Sequence, residues 1–236
     1  GEVEFGERPA AIDLAVSEEG PDMSDLRGQP HLRSSLEVAA AGGHSVLMIG
    51  PPGSGKSLAA RRLPSILPPL SGGEVLEVAR IAGACGASGY RIASKRPFRA
   101  PHHTVSAAGL VGGGNPLRPG EITLAHRGVL FLDELCEFRR DALEALREPL
   151  ESGEVALSRA NSRQVLPARI ALVAAANPCP CGGGEDDPAC ECATAAIRRY
   201  RALLSGALAD RIDMIVAVAQ PSAESMAGAP GETSKD

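Results

Sequence analysis

Tryptophan is absent from the 236 residues, and four Phe and two Tyr supply all the large aromatic rings. So few π-faces exclude a surface that reads bases by stacking; any nucleic-acid contact has to be made to the backbone and tolerate sequence. Long apolar runs are missing too. The longest, Ser45–Ile49, Ile170–Ala176 and Met214–Ala219, fall far short of the roughly 18 residues that span a bilayer. Nor is there a basic excess: 24 Lys and Arg face 29 Asp and Glu, for a net charge of −5. That balance argues against a general polyanion binder and leaves room for a local basic path. Acid crowds the opening (Glu2, Glu4, Glu7, Asp13, Glu18, Glu19), unlike a signal or transit segment. The expectation is a soluble, cytoplasmic protein with no membrane partner.

What is present is a chain long enough for one large domain with appendages, 44% apolar, whose 27 Gly and 19 Pro gather between clear elements. Short apolar runs at Ser45–Ile49, Gly128–Leu132, Arg169–Ala175 and Met214–Ala219 read as strands. They alternate with helical patterns over Leu32–Ala41, Leu58–Leu63, Glu74–Ala82, Arg139–Glu151 and Ala193–Leu204. Strands apolar on both faces and alternating with helices predict an α/β fold, a parallel sheet flanked by helices. Glu154–Ser158 and Arg163–Leu166 predict a β-hairpin. Residues 1–24 read as a linker or the stub of a preceding domain, 25–220 as the α/β core and 221–236 as a further linker.

The chemistry concentrates in four places. Gly50-Pro51-Pro52-Gly53-Ser54-Gly55-Lys56-Ser57 is a complete G-x-x-x-x-G-K-S between a strand and a helix. Its glycines let backbone N–H groups curl round phosphates, Lys56 suits the β- and γ-phosphates, and the Ser57 hydroxyl suits Mg²⁺. Four apolar residues then run into Asp133 and Glu134, placing both acids at the carboxyl end of a buried strand, where ligands bind in open α/β sheets. Asp133 suits Mg²⁺ and Glu134 suits an attacking water. Asn177 ends the next strand; it is either a water-orienting amide or a turn residue before Pro178. Arg211, before the last strand, is either a surface cation beside Asp210 and Asp213 or an arginine finger offered to a neighbouring subunit.

Taken together, GGHSVLMIGPPGSGKS, FRAPHHTVSAAGLVGGG, RPGEITLAHRGVLFLDELCEF, LREPLESGEVALSRA, AAANPCPCG and LSGALADRID make the chain resemble AAA+ ATPases of the magnesium-chelatase-like branch. Within that branch FRAPHHT and NPCPCG are closest to the ComM/YifB competence family. The resemblance implies an AAA+ core with Walker A at Gly50–Ser57 and Walker B at Asp133 and Glu134. It further implies sensor 1 at Asn177 and a trans-acting finger at Arg211. It implies ATP and Mg²⁺ as ligands, a homo-hexameric ring, and a DNA motor driving branch migration in natural transformation and recombination. Phe98–Gly114 then resembles an insert projecting into the ring pore, and Glu154–Leu166 the hairpin before sensor 1. A Lon-type domain is expected before the core, and a helical lid with sensor 2 after it. Two rival readings share the nucleotide motifs: a chelatase-type ATPase remodelling a protein partner for metal insertion into a porphyrin, and a nucleotide-dependent binding module without turnover.

Six cysteines remain. Cys85 and Cys136 stand alone and read as small core fillers. Cys179-Pro180-Cys181 and Cys190-Glu191-Cys192 form two short arms joined by residues 182–189. Four soft thiolates suit a structural, tetrahedral Zn²⁺, but C-x-C is tighter than the usual C-x₂-C. Free thiols and redox pairing stay open on this spacing. Arg91, Lys95, Arg96 and Arg99 lead into His102-His103, and Arg159 and Arg163 flank the hairpin tip. Facing a pore, these cations would meet a DNA backbone; otherwise they are solvated loop charge.

Overall fold

The computed structural model describes residues 21–85, 95–115, 117–159, 162–184, 187–204, 208–227 and 231–235. Arg91 and the hairpin tip at 160–161 lie outside them, as does most of the expected N-terminal linker. In chain order the strands are β1 (Val46–Ile49), β2 (Phe98–Arg99), β3 (Gly112–Gly113), β4 (Arg118–Pro119), β5 (Val129–Leu132), β6 (Glu154–Arg159), β7 (Ser162–Pro167), β8 (Ala171–Ala176) and β9 (Met214–Ala217). The helices are α1 (Pro30–Gly42), α2 (Lys56–Arg62), α3 (Gly72–Ala84), α4 (Ala107–Val111), α5 (Glu121–Leu124), α6 (Arg140–Glu144), α7 (Arg147–Ser152), α8 (Thr194–Leu204) and α9 (Ala223–Ala227). Five strands form one parallel sheet in the order β2-β5-β8-β1-β9.

The predicted continuous apolar runs follow from that sheet having two covered faces. Alternation along each strand sends Leu47, Leu130, Leu132, Leu172, Ala174 and Ala176 into one core. Val46, Met48, Val129, Phe131, Val173 and Ala175 go into the other, with Met23, Leu32 and Leu36. Met23 is fully buried, so packing begins before Asp25.

Several expectations are corrected. The single helix over Arg139–Glu151 is two, α6 and α7, meeting at Ala145-Leu146. Pro149 has no N–H to continue the earlier helix and is tolerated in the first turn of a new one. Strand β9 is not buried on both faces: it is the sheet edge, and Ile215 is 69% exposed. Cys85, at the end of α3, is exposed, whereas Cys136 is buried. Phe98–Gly114 does not project as a whole. Phe98 lies in the sheet, 6.1 Å from the Phe131 ring, and Leu110 is buried in the core. The hairpin forms as expected, with β6 and β7 in antiparallel register.

At the amino end of the sheet a closed polar network ties the strand entries together. Buried His126 accepts from the Arg169 N–H through Nδ1 (3.1 Å) and meets Glu77 through Nε2 (3.0 Å). Glu77 also accepts from Arg127 Nε (2.8 Å), and Arg127 reaches Glu74 (3.2 Å). Arg96, expected in the basic run, donates to the carbonyls of Pro68 and Arg127, 2.6 Å each. Arg99 is held bidentately by Glu121. Both cations thus have partners within the fold, although the Arg99 side chain stays 42% exposed.

Candidate nucleotide site

Strand β1 delivers the chain to the carboxyl edge of the sheet and α2 takes it away, so residues 50–55 must turn sharply between them. Gly50 lies so close to the Val218 carbonyl that no Cβ fits. Gly53 (φ 74°) and Gly55 (φ 90°) adopt left-handed backbone, which L side chains rarely take, and face open space. A glycine loop with open space beside Gly53 and Gly55, leading into a helix N-terminus, has the geometry of an anion cradle. Lys56, only 8% exposed, bends its ammonium back into that loop. It donates to the carbonyls of Gly50 (2.6 Å) and Pro51 (2.8 Å) and lies 3.3 Å from Asn177 Oδ1. Burial pushes its pKa below the usual lysine value, and the charge of Asp133 opposes that shift. An anion entering the loop would offset that desolvation by its charge, as Asp133 does.

Asp133 and Glu134 follow β5, and Asn177 follows β8; the parallel register brings all three to the edge that carries the loop. The Ser57 hydroxyl donates to Asp133 Oδ2 at 2.6 Å. A hydroxyl and a carboxylate side by side are hard oxygen donors, and they fit a hard divalent cation that retains water and phosphate ligands. Glu134 is held in left-handed backbone (φ 54°), a conformation costing a non-glycine residue roughly 1–2 kcal/mol. That twist turns it from its neighbour, leaving it exposed with its Oε2 3.2 Å from His103 Nδ1. The His103 ring lies tilted against His102 (4.0 Å between centroids) and meets Phe138 in a T-shaped contact. Pro52, Gly53, Ser54, Gly55, Lys56, Ser57, Asp133, Glu134 and Asn177 all line one cleft of about 390 Å³.

Arg211 is not brought to that cleft. It stands before the amino end of β9, while the phosphate loop leaves the carboxyl end of the parallel strand β1. There it pairs with Glu151 at the end of α7 and, at 3.9 Å, with Asp210. The His103–Glu134 contact was not legible beforehand, because it needs β2 to pair with β5. The four thiols converge as their spacing allowed: one sulfur from each of Cys179, Cys181, Cys190 and Cys192 lies within 4.8 Å of the others. Burial pushes the Cys179 thiol up, but contacts from Cys181, the Gly184 N–H and Cys190 outweigh it and bring it to about 6.

Strand order, phosphate loop and paired acids define the class: this is an AAA+ core. The crystal structure of NtrX from Brucella abortus in complex with ADP shares the fold at TM-score 0.51 and 18% identity, over 83% of this chain and 38% of that one. The chain belongs to the family described as magnesium chelatase, subunit ChlI, which matches residues 22–226. It is 48% identical over 219 residues to an uncharacterized protein of Mycobacterium tuberculosis, covering 92% of this chain and 43% of the relative. To YifB of Escherichia coli it is 45% identical over 231 residues, 97% of this chain and 46% of YifB. To the competence protein ComM of Haemophilus influenzae it is 46% identical over 201 residues, 84% of this chain and 39% of ComM. The chain thus spans less than half the length of these relatives. Among the described residues no helix is long and apolar enough to cross a membrane.

Proposed function

We propose that this chain is the ATP-hydrolysing core of a ring-forming DNA motor that works in the cytoplasm. The observation that carries the reading is the Ser57–Asp133 contact at 2.6 Å beside the buried Lys56 ammonium, opposite a glycine cradle open to an incoming phosphate tail. The amides of Gly53–Ser57 and Lys56 hold the β- and γ-phosphates. Ser57 and Asp133 hold Mg²⁺, which when bound neutralises charge on the phosphate oxygens. Glu134 accepts a proton from a water whose oxygen attacks the γ-phosphorus, while the bond to the β–γ bridging oxygen breaks and ADP leaves. Asn177 orients that water without repelling phosphate. A neighbour's Arg211, released from Glu151, stabilises the leaving charge, since a chain's own Arg211 sits at the other end of its sheet.

Likeness to YifB and to ComM, the latter named a competence protein, supports extending the proposal to a homo-hexameric ring, sequence-independent DNA binding and branch migration in recombination of incoming DNA. In the longer protein, residues before 25 lead from a preceding domain and residues 221–236 lead to a helical lid. The four thiols hold a structural Zn²⁺. The test is Mg²⁺-dependent ATP hydrolysis by the full-length protein with and without forked DNA. Stimulation by DNA, lost in Glu134→Gln, is expected. Stimulation only by chelatase partner subunits would favour the porphyrin-metallation reading, and no turnover under any condition the binding-module reading.

A further inference from the structure

ATP chemistry leaves the four thiols without a task, yet the loop that carries them abuts the nucleotide cleft, with Gly182 against Pro52. Three of the sulfurs stand 3.2 Å (Cys179–Cys181), 3.5 Å (Cys181–Cys190) and 3.7 Å (Cys179–Cys190) apart, and with Cys192 all four lie within 4.8 Å of one another. Those spacings are far longer than a disulfide's roughly 2.05 Å. They lie close to the roughly 3.8 Å edges of a tetrahedron with metal–sulfur bonds of about 2.3 Å. The Gly184 N–H points at Cys179 Sγ (3.1 Å), the support a thiolate needs. Gly182 (φ 96°) and Gly184 (φ 93°) supply the turns that fold the arms together.

Chain proximity and two contacts join this knot to the site. Cys179 is buried two residues beyond Asn177, the residue whose amide oxygen faces Lys56. Gly182 packs on the phosphate loop so closely that a Cβ there would lie 2.7 Å from Pro52 Cδ. Beyond the last thiol, α8 places the Tyr200 carbonyl 3.9 Å from Cys136 Sγ, in the turn directly following Glu134. Among the described residues between Asn177 and α8 little apolar surface besides Cys179 is buried: Pro180, Cys181 and Ala189 are exposed. A segment so poor in core must be ordered by cross-linking, and metal binding supplies that order as folding energy.

We infer that the metal-loaded thiol knot is a brace for the nucleotide cleft, holding Pro52 and Asn177 in register so that nucleotide affinity depends on metal loading. This rests on the zinc reading above and goes beyond it, because the metal acts on a ligand it does not touch. Pro52 and Asn177 are placed by the brace; Cys179, Cys181, Cys190 and Cys192 are positioning residues.

The experiment uses the full-length protein, the Cys181→Ser/Cys192→Ser double variant and Gly182→Ala, which keeps all four thiols but drives a methyl group toward Pro52. Metal content is measured by elemental mass spectrometry, affinity with a fluorescent ADP analogue, and fold by thermal melting. Wild type is expected to carry one zinc per chain. The double variant should lose it and bind the analogue about tenfold or more weakly, a change of ~1.4 kcal/mol. Gly182→Ala should keep the metal and still bind weakly. With Co²⁺ in place of zinc, the visible absorption of the thiolate site should shift as the analogue is added. A metal-free double variant that binds like wild type, or a Co²⁺ spectrum blind to nucleotide, overturns the brace and leaves the zinc reading standing. A wild-type protein purified under reducing conditions that takes up neither zinc nor Co²⁺ overturns both.

Discussion

The two ends of the parallel sheet carry polar residues of opposite character. At the amino end His126, Arg127, Glu77, Glu74 and Arg96 close on one another and on strand-entry backbone. At the carboxyl end Lys56 donates to two carbonyls of its own loop, Ser57 to Asp133, and Glu134 meets a single histidine from a strained backbone. The first set is satisfied by the fold alone. The second is held by contacts that a phosphate, a cation and a water would replace; on the proposed function, stability resides at one end and chemistry at the other, where ligands bind in open α/β sheets. Arg211 crosses that division: it lies at the stable end, is paired with Glu151, and has nothing to do within its own chain's cleft.

Replacing Arg211 is therefore the sharpest way to break the comparison. Arg211→Ala in the full-length protein should lower turnover by roughly 10³-fold, within the range known for arginine fingers, while nucleotide affinity stays unchanged. Normal hydrolysis would return Arg211 to the structural set. Glu134→Gln should cost roughly 10²–10⁴-fold in turnover and spare binding, read by single-turnover hydrolysis against calorimetry. Lys56→Ala should instead weaken nucleotide binding by roughly 10²-fold or more, because it removes the buried partner of the phosphates. A Lys56 variant that binds normally but fails to hydrolyse would place the lysine with Glu134 and not in the cradle.

How much of this was legible depends on how local each feature is. The phosphate loop, the acids after Leu132 and the strand before Asn177 are contiguous in sequence, and periodicity with glycine placement was enough to read them. Apolar content could not say that β9 is an edge, because Ile215 has the same composition signal as buried Val216. The break between α6 and α7 is written in Pro149, yet the apolar spacing of Leu143, Leu146 and Leu150 masked it. His103 read as part of a run that either faces a pore or is solvated loop charge; the contact with Glu134 appears only in the fold. Arg96 and Arg99 read as either pore-facing cations or solvated loop charge, and only the fold shows their carbonyl and carboxylate partners.

The amino end gives smaller effects. His126→Ala removes a fully packed ring and strands the Arg169 N–H, which should cost about 2–3 kcal/mol in chemical denaturation and leave nucleotide affinity unchanged. The same network makes the fold acid-sensitive, and the sign follows from the shifts. Burial holds the His126 pKa below its ordinary 6.5, so its stabilisation is full above that value and declines as pH falls through it. Hydrogen bonds from Arg127 and His126 lower Glu77 from 4.5 to about 2; its contribution is present above 4.5 and is lost as pH falls toward 2. Glu77 is 44% exposed, so solvent screening limits that share to below about 1 kcal/mol. Glu77→Gln should accordingly flatten the pH dependence of the melting temperature below pH 4.5, lower it only slightly at neutral pH, and leave ADP affinity at wild-type strength. A Glu77→Gln protein that melts normally but binds nucleotide poorly would show the two ends of the sheet to be coupled, and the division drawn between them would fail.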